Sequence, residues 1–164
     1  MSPIVFVVAV AQNGVIGDRG KIPWRIAEDM RYFKSVTMGK PVIVGRKTWD
    51  SFPKKPLPGR TNIVVTRDRT LAAEGAVIVH SLDDAIARAQ SENPCEIVVA
   101  GGVDIYEALR DRADRIYLTE VHAPFEGEAK LAPFERAEWR ETAREDRATE
   151  EGLRYSFVTL ERAS

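Results

Sequence analysis

Asp29 occupies a position where an amphipathic helix should present an apolar side chain to the core. In the stretch GKIPWRIAEDMRYFK, Gly20 to Lys34, the apolar residues Ile26, Met30 and Phe33 recur at i, i+4 and i+7 of a helix. Asp29 takes the remaining position of that stripe, i+3. Burying an unpaired carboxylate is costly, so an acid on this face needs a partner or a raised pKa. Its own helical face supplies no base, because Arg25 and Arg31 lie elsewhere on the wheel. A ligand presenting N–H donors meets the requirement. Asp29 also lies in the first turn, where carboxylates complement the helix dipole, but Glu28 points away from the stripe and can serve the dipole alone.

Further chemistry-bearing residues fall at the ends of apolar runs. VVAGG ends one run with Gly101 and Gly102 before a helical segment, placing backbone N–H groups where an anion could approach. A tight turn needing glycine for conformation alone explains the same pair equally well. VGRKTW brings Arg46, Lys47 and Thr48 to a helix start, and Arg67 follows the run IVVT. Singly each arginine reads as solvated surface charge; together with the glycine pair they favour a phosphorylated nucleotide. In PLPGR, prolines stiffen the loop that delivers Arg60, pre-organising its guanidinium for a carboxylate, although an exposed turn arginine is the plainer reading of that motif alone.

Other classes are disfavoured. Val103 and Asp104 directly follow the glycine pair, so the G-x-G-x-x-G dinucleotide fingerprint fails. GKPVIVGRKT has five residues between Gly39 and Gly45 and places Arg46 before Lys47, so it is not a P-loop. The net charge is −1, from 24 basic and 25 acidic residues, which advertises neither nucleic acid nor an anionic membrane. The histidines, His80 and His122, have no metal-ligand spacing around them. Cys95 is the lone cysteine, which suits a reducing compartment. The longest apolar run, Ile4 to Ala11, is too short to span a bilayer and lacks signal-peptide flanks, so a cytoplasmic location is expected.

The elements that must position these groups are legible as alternating strands and helices over 164 residues, a length suited to one domain, 1–164. PIVFVVAVA reads as a central strand, QNGVIGDRGKIPW as a long loop, and Ala27 to Thr37 as the helix carrying Asp29. KPVIVG, TNIVVT, GAVIVH, EIVVAGG and ADRIYLTEVH read as five further strands. RKTWDSF, SLDDAIARAQ and VDIYEALR read as helices, the second with Ser81 as N-cap and Asp84 at N3. Weak alternation over Glu138 to Arg147 and Leu153 to Leu160, around EEG, predicts an antiparallel hairpin at a sheet edge. The expected architecture is a mixed, mostly parallel α/β sheet flanked by helices, with ligands gathered at the carboxyl ends of the parallel strands.

Taken in order, GVIGDRGKIPW, the Asp29 helix, VIVGRKTWDSF, PLPGR, VVAGG…IY and IYLTEV resemble dihydrofolate reductase, over essentially the whole chain from Ile4 to Leu160. The resemblance implies NADPH-dependent reduction of 7,8-dihydrofolate by a monomer that also binds antifolate inhibitors. It implies that Asp29 bonds the pterin amidine edge, helped by Thr119, with Trp24 ordering a nearby water. It implies a pterin pocket lined by Val7, Val8, Met30, Phe33, Phe52 and Ala100, and a glutamate carboxylate held by Arg60 near Lys34. The nicotinamide would rest near Ala9, Ile16, Gly17 and Tyr106. Gly45, Arg46, Lys47, Thr48, Thr66 and Arg67 would take the rest of the cofactor, its phosphates included. Gly101, Gly102, Val103, Asp104 and Ile105 would approach the cofactor closely, the Gly101–Gly102 peptide being cis in the family. Four features depart from the family pattern: Ala27 in place of a common proline, Val103-Asp104 after the glycine pair, the small Ala100, and GEAKLAP in place of an acidic-Thr turn. Rival expectations are a pteridine or flavin-pathway pyrimidine reductase of the same fold, and a non-catalytic pterin- or nucleotide-binding module. The aminobenzoyl shelf at Phe33 and the arginine at 60 argue against the first. The nicotinamide-facing residues and the closing loop argue against the second.

Overall fold

A computed structural model of the protein describes residues 1–163. Apolar, β-branched runs bounded by turn residues become strands, as expected of segments buried on both faces. The elements are β1 (Ile4–Ala11), β2 (Val15–Gly17), α1 (Ala27–Thr37), β3 (Val42–Gly45), α2 (Arg46–Ser51), β4 (Asn62–Val65) and β5 (Ala76–Val79). They continue with α3 (Leu82–Gln90), β6 (Ile97–Val99), α4 (Val103–Leu109), β7 (Arg115–Val121), β8 (Ala129–Lys130), β9 (Trp139–Ala148) and β10 (Arg154–Arg162).

Eight strands form one sheet in the order β5-β4-β3-β6-β1-β7-β10-β9. Pairings from β5 to β7 are parallel; β10 runs antiparallel to both β7 and β9. The mixed α/β sheet with its antiparallel hairpin is therefore as expected, with one refinement. Of the hairpin, only β9 lies at an edge of the sheet, and β10 is interior, paired to β7 from Tyr155↔Val121 to Glu161↔Arg115.

Alternation along β1 separates two cores. Ile4, Phe6 and Val8 pack on one face with Ala85, Ile86 and Ala89 of α3 and Tyr106 and Leu109 of α4. Val5 and Val7 pack on the other with Trp49 of α2 and half-buried Phe33 and Val36 of α1. A third cluster joins Ala11, Trp24, Ile26, Val121, Tyr155 and Phe157 beside the start of α1. The capping expectation for α3 holds: the Ser81 hydroxyl accepts the Asp84 N–H at 3.0 Å.

The segment after β1 is more ordered than a plain loop. Its β2 pairs antiparallel with β8, a two-residue strand from GEAKLAP, and Asp18 and Lys21 form a bridge beyond it. Gly127 lies against the Gly17 carbonyl so closely that a Cβ there would overlap it. Around this ribbon the Asn13 side chain both donates to and accepts from the Phe125 backbone, at 2.8 and 3.3 Å. The Arg19 N–H donates to the Glu128 carboxylate at 2.9 Å.

Candidate active site

Asp29 enters the site from the first turn of α1, whose register places it over β7. Thr119 Oγ1 donates to Asp29 Oδ1 at 2.6 Å. Thr119 itself is buried and sits beside Ala9 of β1 and Phe157 of β10. Among the described residues no cation lies within 4 Å of Asp29. Burial pushes its pKa above the ordinary carboxylate value, and the Thr119 hydrogen bond opposes that shift. One donor, no base and a half-buried setting leave a carboxylate with unused acceptor capacity. Trp24, 8% exposed, adds a buried Nε1 donor with no partner among the described residues.

The stripe that raised the question is not uniform. Ile26 is 3% exposed, whereas Met30 is 61% exposed. Met30 is thus no core residue, and Phe33 is half-buried with Val7, Phe52 and Ala100 on the same face of the sheet. Val8 packs on the opposite face. Adjacent residues of a strand point to opposite faces, so the side chains of Val7 and Val8 do not line one wall together.

Arg60 is delivered to the far end of α1. Its Nε donates to Pro58 O at 2.9 Å, and Nη1 donates to the Thr37 hydroxyl at 3.0 Å. Thr37 is buried in the last turn and donates in turn to Phe33 O at 2.8 Å. Arg60 makes no ion pair with a described residue, and partial burial lowers its pKa below the usual guanidinium value. A fixed guanidinium without a carboxylate is a built receptor for one. Asp29 and Thr37 are separated by eight residues, about 12 Å along the helix axis. Phe33 falls one turn along from Asp29. Lys34 is exposed on the same helix.

The turns after β3, β4 and β6 gather the second group. Gly101–Gly102 is cis, and Gly45 N donates to Gly101 O at 2.9 Å, tying the two strand ends together. Gly101 has φ +122°, a conformation that disfavours any side chain, and a Cβ there would sit 3.3 Å from Thr48 Oγ1. The glycine backbone thus lies against Thr48 with no side chain between them. Ile105 packs under Gly45, 3.4 Å from where a Cβ would stand. Arg46 is exposed and paired with Asp68 at 2.7 Å and Asp50 at 3.5 Å. Lys47, Arg67 and Asp104 are exposed, and Thr66 and Val103 half-buried.

Tyr106 belongs to the core more than to an open wall. It is 2% exposed, and its hydroxyl donates to Val7 O at 2.7 Å. Burial raises its pKa far beyond the ordinary phenol value, so it stays a donor. Ala9 packs with the cluster around Trp24, and Ile16 with the cluster on the opposite face, beside Gly17 of the β2–β8 ribbon. Sequence reasoning missed that ribbon and a contact between Glu28 and Tyr155, 2.7 Å apart. Each joins residues more than a hundred positions apart, and no local periodicity marks them.

Comparison with known proteins identifies the family. The family profile described as dihydrofolate reductase covers residues 3–162. The dihydrofolate reductase of Neisseria meningitidis is 43% identical over 159 residues, spanning 96% of this chain and 97% of its own length. That of Mycobacterium tuberculosis is 40% identical over 167 residues, spanning 99% of this chain and all of its own. Among solved structures, the dihydrofolate reductase from Enterococcus faecalis complexed with NADP(H) and RAB-propyl superposes with a TM-score of 0.90 at 29% identity. The overlap covers 99% of this chain and 97% of that one. The fold and these matches define an α/β reductase. The chain belongs to the dihydrofolate reductase family of enzymes.

Proposed function

We propose that the protein reduces 7,8-dihydrofolate to 5,6,7,8-tetrahydrofolate with NADPH as the hydride donor, supplying one-carbon metabolism. The observation that carries this reading is the spacing along α1. A carboxylate with free acceptor capacity stands at one end, Phe33 one turn along, and an unpaired guanidinium at the other end. That arrangement matches a heterocycle with adjacent N–H donors, an aromatic spacer and an acidic tail.

The cradle at Gly101, Gly102 and Thr48, with Arg67 exposed beyond it, fits a phosphorylated dinucleotide. When bound, NADPH supplies a hydride from its nicotinamide C4 to pterin C6. Asp29 accepts the pterin N–H donors and stabilises positive charge on the ring, which favours protonation at N5. Thr119 fixes the carboxylate, so that its free lone pairs face the substrate. Trp24 Nε1 is a donor for the water that delivers the proton. Arg60 anchors the glutamate carboxylate, and Phe33 shelves the aminobenzoyl ring. The segment from Gln12 to Trp24, fastened through β2 to β8, shields the reacting rings from bulk water. Ala100 leaves this wall of the pocket wider than a larger apolar residue would, which weakens bulky antifolates. We read the protein as a cytoplasmic monomer; among the described residues no helix is long and apolar enough to cross a membrane.

The test follows NADPH absorbance in the presence and absence of dihydrofolate, with NADH as the comparison. Oxidation should require dihydrofolate and run faster with NADPH. Asp29→Asn should lose about 10²–10³-fold in kcat/KM at neutral pH. Full turnover in that variant would remove Asp29 from its assigned role.

A further inference from the structure

The start of α1 is poorly fixed by its own sequence. Its N-cap is Ile26, which offers no side-chain acceptor to the orphan N–H groups of the first turn. Ala27, at the first helical position, is exposed and contributes no side-chain hydrogen bond. Yet this turn must hold Asp29 within 2.6 Å of Thr119.

The anchor is found on the hairpin. Tyr155 Oη donates to Glu28 Oε1 at 2.7 Å, and Arg147 Nε of β9 lies 3.6 Å from the same oxygen. One helical turn on, Tyr32 stacks on Phe157 with ring centroids 4.3 Å apart. Glu28 and Tyr32 are i and i+4, one face of the helix; Tyr155 and Phe157 are i and i+2, one face of the strand. The register of β10 with β7 sets Phe157 opposite Thr119 and Tyr155 opposite Val121. The first turn of α1 therefore grips two neighbouring strands, Glu28 holding β10 while Asp29 meets β7.

We propose that Tyr155, acting through Glu28, is the positioning residue that holds the Asp29 carboxylate against Thr119. The proposal rests on the reading of Asp29 as the substrate-binding acid. Tyr155 is 4% exposed, and its hydroxyl has no other partner among the described residues. Burial and the neighbouring Glu28 push its pKa up to about 12, so it remains a donor across the working range. The charged groups around the pair are Arg31 on the helix, and Arg147 with its own partner Glu145 on β9. None contacts Asp29, so losing the Tyr155 hydroxyl reaches the acid only by freeing the first turn.

The full-length enzyme carrying Tyr155→Phe tests this. We expect kcat/KM for dihydrofolate to fall about tenfold, the KM for NADPH to hold, and the pH–rate profile to move toward higher pH as Asp29 loses its donor. Glu28→Gln keeps an acceptor for Tyr155 and should retain most activity with the original profile; Glu28→Leu should repeat the Tyr155→Phe phenotype. Combining Tyr155→Phe with Glu28→Leu should cost no more than either alone. An unmoved profile and unchanged dihydrofolate KM in both Tyr155→Phe and Glu28→Leu would overturn the proposal, as would equal increases in both KM values. If Asp29→Asn is inactive while those two variants are normal, only the positioning role fails. If Asp29→Asn is itself fully active, the underlying reading fails.

Discussion

Thr119 reaches Asp29 across 90 residues of sequence, and its hydroxyl donates to the carboxylate at 2.6 Å. The bond does two things at once. It fixes the rotamer of an acid whose pKa burial raises, opposing that shift, and it leaves the second carboxylate oxygen for an incoming donor. It also joins a helix laid down early in the chain to the strand beside β1.

Removing that hydroxyl gives the most direct readout of its electrostatic role. A donor to the charged form lowers a carboxyl pKa, so Thr119→Val should raise that of Asp29 further. The ionisation seen in the pH–rate profile should move to higher pH, and kcat/KM for dihydrofolate should drop about tenfold. A profile superimposable on that of the parent enzyme would mean that the bond is ornamental.

The raised pKa of Asp29 makes a second statement, about stability. Between the ordinary carboxyl value and the raised folded value, the folded protein binds more protons than the unfolded chain. Stability therefore falls as pH rises through that window and stays lower above it. Asp29→Asn should raise the melting temperature by about 2–4 °C at neutral pH, with the gain vanishing near pH ~4. Thermal unfolding at the two pH values checks the sign.

Arg60 should act on binding and leave chemistry nearly untouched. Its guanidinium is held by Pro58 O and Thr37, away from the reacting end of the helix. Arg60→Gln should raise the KM for dihydrofolate by roughly 10–100-fold with little change in kcat. A dihydropteroate substrate, which lacks the glutamate, should not feel the change. Steady-state kinetics with both substrates separate the two cases.

Arg67 is an exposed cation just after β4, whereas Arg46 is already engaged by Asp68 and Asp50. Arg67→Gln should raise the KM for NADPH about tenfold and leave NADH nearly unaffected. Equal losses with both cofactors would place the 2′-phosphate elsewhere.

The strands were readable because their burial writes itself into composition: IVFVVAVA and VIVG are apolar on both faces, and NIVV is so after Asn62. Helix α1 was readable to its ends, Ala27 and Thr37. The ribbon of β2 and β8 was not, since strands of three and two residues carry no period and are defined by each other. The exposure of Met30 was invisible for a different reason. An apolar residue on an amphipathic stripe reads as core, and only tertiary packing shows where the sheet beneath the helix ends. The residues around Asp29 were nameable from their order in the chain, but the grip of Tyr155 and Phe157 on α1 depends on a strand register that sequence spacing does not encode.

The antiparallel return of β10 has a consequence for timing. A chain emerging from the ribosome at about 5–20 residues per second exposes Asp29 long before Arg154–Arg162 exists. The parallel strands, with the glycine turn of residues 101 and 102, can assemble first. Asp29 can meet Thr119 once β7 is in place, but the helical turn that carries it gains Tyr155 and Phe157 only when the last strand slots in beside β7. A nascent chain stalled before residue 154 would thus carry the whole Gly101–Thr48 turn and Thr119, yet lack the Tyr155 and Phe157 anchor of the turn that bears Asp29, so nucleotide capture would precede competence for turnover during synthesis.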